Sequence, residues 1–189
     1  MINKAQLKTG QATARDLIKK SGLLVTEAEF AEMEVADFGL NNYPTEGAQI
    51  ITFLNTEKVG YKAICLAKRQ SLPEHWHTAS LGEEGKEESF RVVYGNLRLF
   101  VPDDHKIEWP NIKTWTPKEL PCPAGKQQFY TCNKELKLAQ AEQVTLPPGV
   151  PHWFMADEGG CVVLSISSWA RCALDPFTDP NVIRETVYE

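Results

Sequence analysis

Glu88-Ser89-Phe90-Arg91-Val92-Val93-Tyr94 is the stretch on which the fold turns. Side chains leave a β-strand on alternating faces. Glu88, Phe90, Val92 and Tyr94 therefore share one face, and Glu87, Ser89 and Arg91 share the other. The first set is mostly large and apolar and belongs inside; the second suits solvent. The stretch reads as a half-buried strand. Where that strand reaches back far enough, Glu88 is an inward carboxylate.

Working outward, β-branched and aromatic residues recur in short runs between turn residues from Ala48 onward. Strands are expected at Gln49–Leu54, Tyr61–Ala67, Ser89–Tyr94, Leu97–Val101, Gln143–Leu146, His152–Ala156 and Cys161–Ser167. Asn55-Thr56, Gly95-Asn96, Pro147-Pro148-Gly149 and Glu158-Gly159-Gly160 are the expected turns. Many short strands with frequent turns predict a mainly β sandwich or barrel. Helices precede it. Ala5 to Lys20 is rich in helix formers with Ser21-Gly22 as a stop, and Thr26-Glu27-Ala28-Glu29 is a capping box. Helices first and strands after imply a mostly antiparallel sheet. The expected division is a helical segment over 1–45, a barrel over 46–175 and an extension over 176–189 of one domain. Residues 103–133 carry Pro110, Pro117, Pro121 and Pro123 and show no clean period. This excursion fits a functional lid and a surface loop packed by Trp109 and Trp115 equally well.

The bulk composition sets limits. The chain has 189 residues, enough for one domain with a real core. Its formal charge of −5 and lack of a basic run argue against nucleic acid. No apolar stretch approaches the roughly 20 residues that span a bilayer. Residues 1–22 are polar and lack a signal-peptide apolar region, so cytoplasm is the expected compartment. The cysteines are Cys65, Cys122, Cys132, Cys161 and Cys172, and none forms a C-x-x-C pair, which excludes the usual structural zinc pattern. A Cys122–Cys132 disulfide is allowed, but nothing demands it.

The chemistry lies in the histidines. His75, Trp76 and His77 place two imidazoles two residues apart, on one face of a strand. His152 follows a Pro-Pro-Gly-Val-Pro turn and opens an apolar strand. Taken alone, either feature is ordinary. With Glu88 they make a ligand set for a divalent first-row metal. His105 sits in a polar stretch and reads as solvated. Lys86 shares the parity of Glu88; on spacing alone, a loop lysine snorkelling to solvent is the slightly commoner outcome. A buried lysine would need a partner, and the carboxylate two residues on would supply one.

These spacings resemble the cupin superfamily. Cupins carry His-x-His, a Glu followed six residues later by Gly (here Glu88 and Gly95), and Pro-x-Gly-x-x-His (here 147–152). The ten residues between His77 and Glu88 exceed the three or four of most cupins. A narrower resemblance, to the D-lyxose isomerases, accommodates the longer loop. It rests on Asp37-Phe38-Gly39-Leu40-Asn41-Asn42, Pro73-Glu74-His75-Trp76-His77, Gly85-Lys86-Glu87-Glu88-Ser89-Phe90-Arg91, Pro148-Gly149-Val150-Pro151-His152-Trp153-Phe154 and Phe177-Thr178-Asp179-Pro180.

The resemblance implies a cupin barrel (a double-stranded β-helix, or jelly roll), metal ligands at His75, His77, Glu88 and His152, and a functional Lys86. It also implies Mn²⁺, a homodimer, and aldose–ketose isomerisation of D-lyxose, with D-mannose as a natural second substrate. It places a catalytic acid near the C-terminal end, where Glu185 is the nearest candidate; Glu74 and Asp179 stand behind it as carbon base. Asn42, Tyr94, Phe154 and Arg184 are candidate sugar contacts, although Phe154 fits barrel core better and Arg184 fits exposure equally well. Four protein ligands on an octahedral ion would leave two positions for adjacent sugar oxygens. Two other readings share the ligand set: an Fe(II) cupin dioxygenase, and a non-catalytic metal- or sugar-binding cupin.

Overall fold

The computed structural model describes residues 1–79, 84–103, 112–168 and 175–189. Two helices lead. α1 (Lys4–Ser21) is opened by an Asn3 capping box and closed by Gly22 in the left-handed conformation at φ 73°. α2 (Glu27–Ala31) starts at the expected Thr26–Glu29 capping box.

Nine strands follow among the described residues: β1 (Glu34–Ala36), β2 (Ala48–Asn55), β3 (Val59–Leu66), β4 (Ser71–His75), β5 (Glu88–Val101), β6 (Lys113–Trp115), β7 (Lys134–Leu138), β8 (Gln143–Leu146) and β9 (His152–Ser168). They form one sheet in the order β1-β2-β3-β9-β5-β7-β6, with β4 also on β9 and β8 also on β5. Every strand pair among the described residues is antiparallel. This is a cupin-like fold, mainly β with N-terminal helices. The sheet begins earlier than the sequence implied, because Glu34–Ala36 already pairs with β2.

The two longest strands explain the barrel. Gly95-Asn96 and Glu158-Gly159-Gly160 were expected to be turns between strands. They are instead bends inside β5 and β9, which pair from Glu88↔Ser167 to Phe100↔Trp153. The register shifts between Val92 and Tyr94 and again between Gly95 and Leu97. Such bulges curve a sheet and change which side each residue faces. Gly95 sits at the bend with φ 73°, and a Cβ there would come within 2.2 Å of the Gly160 carbonyl oxygen. Only glycine permits that approach.

The barrel interior contains Phe90, Val92, Leu97, Leu99, Val101, Leu136, Phe154 and Val163. A second cluster lies outside the barrel, where Ala14, Leu17 and Ile18 of α1 cover Ile51, Ala63, Cys65 and Val162. A third joins Phe100, Trp153 and Met155 to Tyr130 and Cys132, so the end of the 103–133 excursion is packed against the sheet. Trp115 lies in β6, opposite Glu135 of β7, and is 41% exposed. Trp109, His105 and Cys172 lie outside the described residues. Cys65, Cys122, Cys132 and Cys161 are free thiols. No helix among the described residues is long and apolar enough to cross a membrane.

Candidate metal centre

Four elements bring the site together. β4 ends at His75, which faces His152 directly in register at the start of β9. His77 lies just beyond β4. Its carbonyl accepts from the Gly149 amide at 2.8 Å, which fixes it to the turn before His152. A Cβ at Gly85 would lie 2.2 Å from that same carbonyl oxygen, so glycine is what lets the Lys86 segment pass so close. Glu88 opens β5 and pairs with Ser167 of β9 and Leu146 of β8.

The rings converge. Centroid separations are 4.4 Å for His75–His152, 5.1 Å for His75–His77 and 5.2 Å for His77–His152. One nitrogen from each ring lies within 4.8 Å of the others. His75, His77 and His152 are all buried, His152 completely. The orientation of two rings follows from their backbone. His75 Nδ1 is 2.9 Å from the Pro73 carbonyl and His152 Nδ1 is 2.9 Å from the Val150 carbonyl. A carbonyl only accepts, so each Nδ1 carries the hydrogen and each Nε2 keeps its lone pair. His152 Nε2 is buried without a hydrogen-bond partner among the described residues. An orphaned lone pair in a ring of imidazoles is costly in apolar surroundings, and a divalent cation is the group that fits it.

Glu88 is tied down on both oxygens. Lys86 Nζ and His77 Nε2 each lie 2.9 Å from Oε2, and the Ser165 hydroxyl donates to Oε1. Burial alone would push this carboxyl up, but the Lys86 and His77 charges hold it well below the usual carboxylate range. The imidazoles divide. Burial, then His152 and His77, drives His75 well below its ordinary value, and burial with His77 takes His152 down to about 4. Burial also pulls on His77, yet the Asp175 and Glu88 carboxylates outweigh it and leave His77 raised. Two rings are thus neutral and ready to coordinate, while the third holds a proton more tightly.

A cavity opens beside these groups. Phe38, Phe90, Phe154 and Phe177 give it an apolar wall; Lys86, Glu88, Ser165, Asp175 and Arg184 give it a polar one. Phe177 stacks on His75 at 5.4 Å. The strap that carries it is fastened by Trp76 N–H to Pro176 O at 3.2 Å and Thr178 N–H to Glu74 O at 3.1 Å.

The sequence candidates separate here. His75, His77, Glu88, His152 and Lys86 come together, and Phe154 and Arg184 line the cavity with them. Tyr94 does not line it. The bulge after Val92 breaks the alternation, so Tyr94 packs toward the α1 cluster on the far side of the sheet. Asn42 donates to Glu46 Oε2 at 3.0 Å, away from the cavity. Glu185 is exposed. Its neighbours Arg184 and Thr186 both turn inward to Glu34, at 2.7 Å each, and the residue between them points outward. Glu74 accepts from Thr131 N–H and Oγ1–H, Cys132 N–H and Thr178 Oγ1–H, and Asp179 is held by Lys126 Nζ at 2.7 Å. Asp175 and Ser165 escaped the sequence reading. Ser165 could have been found, since it shares a face with the core residue Val163 on an expected strand. Asp175 lies in a loop with no period to expose it.

The model of the D-lyxose isomerase family matches residues 29–185. The chain belongs to this family. Its relatives include the D-lyxose ketol-isomerase of Cohnella laeviribosi, 36% identical over 92% of this chain and 91% of that protein. The D-lyxose/D-mannose isomerase of Thermosediminibacter oceani is 36% identical over 97% of each chain. Among solved structures, the L-ribose isomerase of Cellulomonas parahominis covers 100% of this chain and 98% of its own, with a TM-score of 0.79 at 18% identity. That likeness speaks for the fold.

Proposed function

We propose that this D-lyxose isomerase family member is a metal-dependent aldose–ketose isomerase that converts D-lyxose to D-xylulose, with D-mannose to D-fructose as a second reaction. D-lyxose and D-mannose share their configuration at C2 and C3, so a site that grips those carbons admits both. The observation that carries the reading is the Lys86–Glu88 pair set against the histidine cluster in one cavity.

His75, His77, His152 and Glu88 would hold the ion, and we propose Mn²⁺ from the family resemblance. A bound divalent cation supplies Lewis acidity, polarising two adjacent sugar oxygens and stabilising negative charge that develops on them. The chain's own residues do the rest. Glu88 keeps Lys86 Nζ at 2.9 Å, inside the cavity rather than in solvent. From there Lys86 hands a proton to the sugar oxygen that becomes a hydroxyl and takes one from the oxygen that becomes a carbonyl. Phe154 and Phe177 shield the reacting carbons from water, and Arg184, held by Glu34 through both terminal nitrogens, lines the wall that faces the sugar. An iron dioxygenase would need the same ligands but no lysine in proton-transfer reach, so Lys86 supports isomerisation.

A cytoplasmic homodimer completes the proposal. The free thiols on the described cysteines suit a reducing compartment. The test is a Mn²⁺-reconstituted assay against a panel of aldoses, with His77→Ala and Lys86→Ala in parallel. D-lyxose turns over fastest with the wild type, His77→Ala loses metal, and Lys86→Ala keeps metal but loses turnover. Oxygen consumption at an electrode, or sugar binding without turnover, would overturn the reading.

A further inference from the structure

We infer that Asp175 is the general base that carries the proton between C1 and C2 of the sugar; the inference rests on the isomerase reading above. Isomerisation needs a group that accepts a hydrogen from carbon, and an acid in the cavity wall is the natural one. Two carboxylates among the described residues line this cavity, Glu88 and Asp175. Glu88 has both oxygens engaged, by Lys86, His77 and Ser165. Glu74 and Asp179 are consumed by structural donors elsewhere, and Glu185 stands in solvent.

Asp175 is differently placed. Its Oδ1 lies 2.9 Å from His77 Nδ1, and its side chain is 12% exposed. That contact ties Oδ1 to a ligand imidazole, so a proton carried for the sugar falls to the other oxygen. His75 and His152 are oriented by backbone carbonyls instead. Asp175 thus borders the ligand set while its second oxygen makes no hydrogen bond to a described residue. The strap that follows is firm: Phe177 pairs with His75 across an isolated antiparallel bridge, and Trp76 N–H holds Pro176 O.

The step balances without an added reagent. Asp175 takes the proton from C2 of the open-chain aldose. The C–H electron pair becomes the C1=C2 bond, and the carbonyl π pair moves onto O1, which is protonated. Loss of the O2 proton then forms the C2 carbonyl, and the alkene pair takes the proton back from Asp175 at C1. The carboxylate ends as it began.

The test compares wild type, Asp175→Asn and Asp175→Glu, each loaded with Mn²⁺ and given D-lyxose in deuterated water. Asparagine keeps an oxygen toward His77 and cannot take up the proton. Bound Mn²⁺ per chain and KM stay within about threefold of wild type in Asp175→Asn, while kcat falls roughly 10²–10⁴-fold. Deuterium exchange into the sugar falls with it, and Asp175→Glu recovers part of both. If wild type isomerises and Asp175→Asn does so within about fivefold, the inference falls and the isomerase reading stands. If Asp175→Asn loses metal in step with activity, Asp175 is only a positioning residue and the inference also falls. A wild type inert toward every aldose removes the isomerase reading and this inference with it.

Discussion

Lys86 Nζ lies 2.9 Å from Glu88 Oε2, with both side chains buried and both on the inward parity of β5 and the residues before it. In the proposed reaction this pair would connect metal binding to proton chemistry, since the carboxylate that would grip the ion also keeps the lysine in the cavity. Replacing Lys86 with methionine leaves Glu88 without its principal counter-charge. We expect the metal-free variant to lose up to about 3–5 kcal/mol of stability, the usual cost of breaking a buried pair. Added Mn²⁺ should restore most of it, and kcat should remain at least about 100-fold down. Urea unfolding with and without metal, beside steady-state kinetics, checks both halves.

Metal uptake should release protons. His77 is held raised by Asp175 and Glu88 against the pull of burial, so it holds a proton more tightly than an ordinary imidazole and a bound cation competes with that proton. Titration calorimetry in buffers of different ionisation enthalpy reads this directly. A binding enthalpy that does not vary with the buffer would mean His77 is already neutral.

Acid should destabilise the metal-free protein through the other two rings. His152 is down to about 4 and His75 well below its ordinary value, chiefly from burial. An unfolded histidine titrates near 6.5. Between those values the unfolded chain binds more protons than the folded one, so stability rises with pH there. It is complete above about 6.5 and is lost as pH falls toward about 4. His77 runs in the opposite sense and offsets part of one ring. Urea midpoints of chelator-treated protein at pH 7 and pH 4.5 should differ accordingly; equal midpoints would show that the rings are not buried neutral.

Gly95→Ala should be costly. The added Cβ meets the Gly160 carbonyl oxygen at 2.2 Å, and the backbone is left-handed. Gly-to-Ala changes at such φ values destabilise by more than about 1 kcal/mol, and the clash adds to that. Denaturant unfolding measures it. A neutral result would mean that β5 and β9 do not approach as closely as described.

Arg184 and Tyr94 should part company. Arg184 lines the cavity, whereas Tyr94 packs on the other side of the sheet. Arg184→Ala should raise KM for D-lyxose severalfold, and Tyr94→Phe should leave it unchanged. The reverse pattern would relocate the sugar.

The sequence disclosed what obeys a period. Alternation along Glu88–Tyr94 is enough to turn Glu88, Phe90 and Val92 inward, and the side chains found buried there agree. It fails at Tyr94, because a bulge is a local event that no alternation count anticipates. A strand was expected to carry both His75 and His77, but β4 ends at His75, and its Pro73 sits near a register shift against β9. β7 reads as Lys-Glu-Leu-Lys-Leu, too charged to look like a barrel wall. Glu135 is nevertheless fully buried there, paired bidentately with Arg98 at 2.6 and 2.8 Å. Asp175 had no signal at all, since its place is set by a strap fastened to residues some hundred positions earlier.

The central claim is that His75, His77, Glu88 and His152 hold a single ion beside Lys86. Crystals grown with Mn²⁺ and measured at the manganese edge test it most directly. The account predicts one strong anomalous peak among the three imidazole rings and the Glu88 carboxylate, abolished by His77→Ala. No peak there, or a peak elsewhere on the chain, would contradict it.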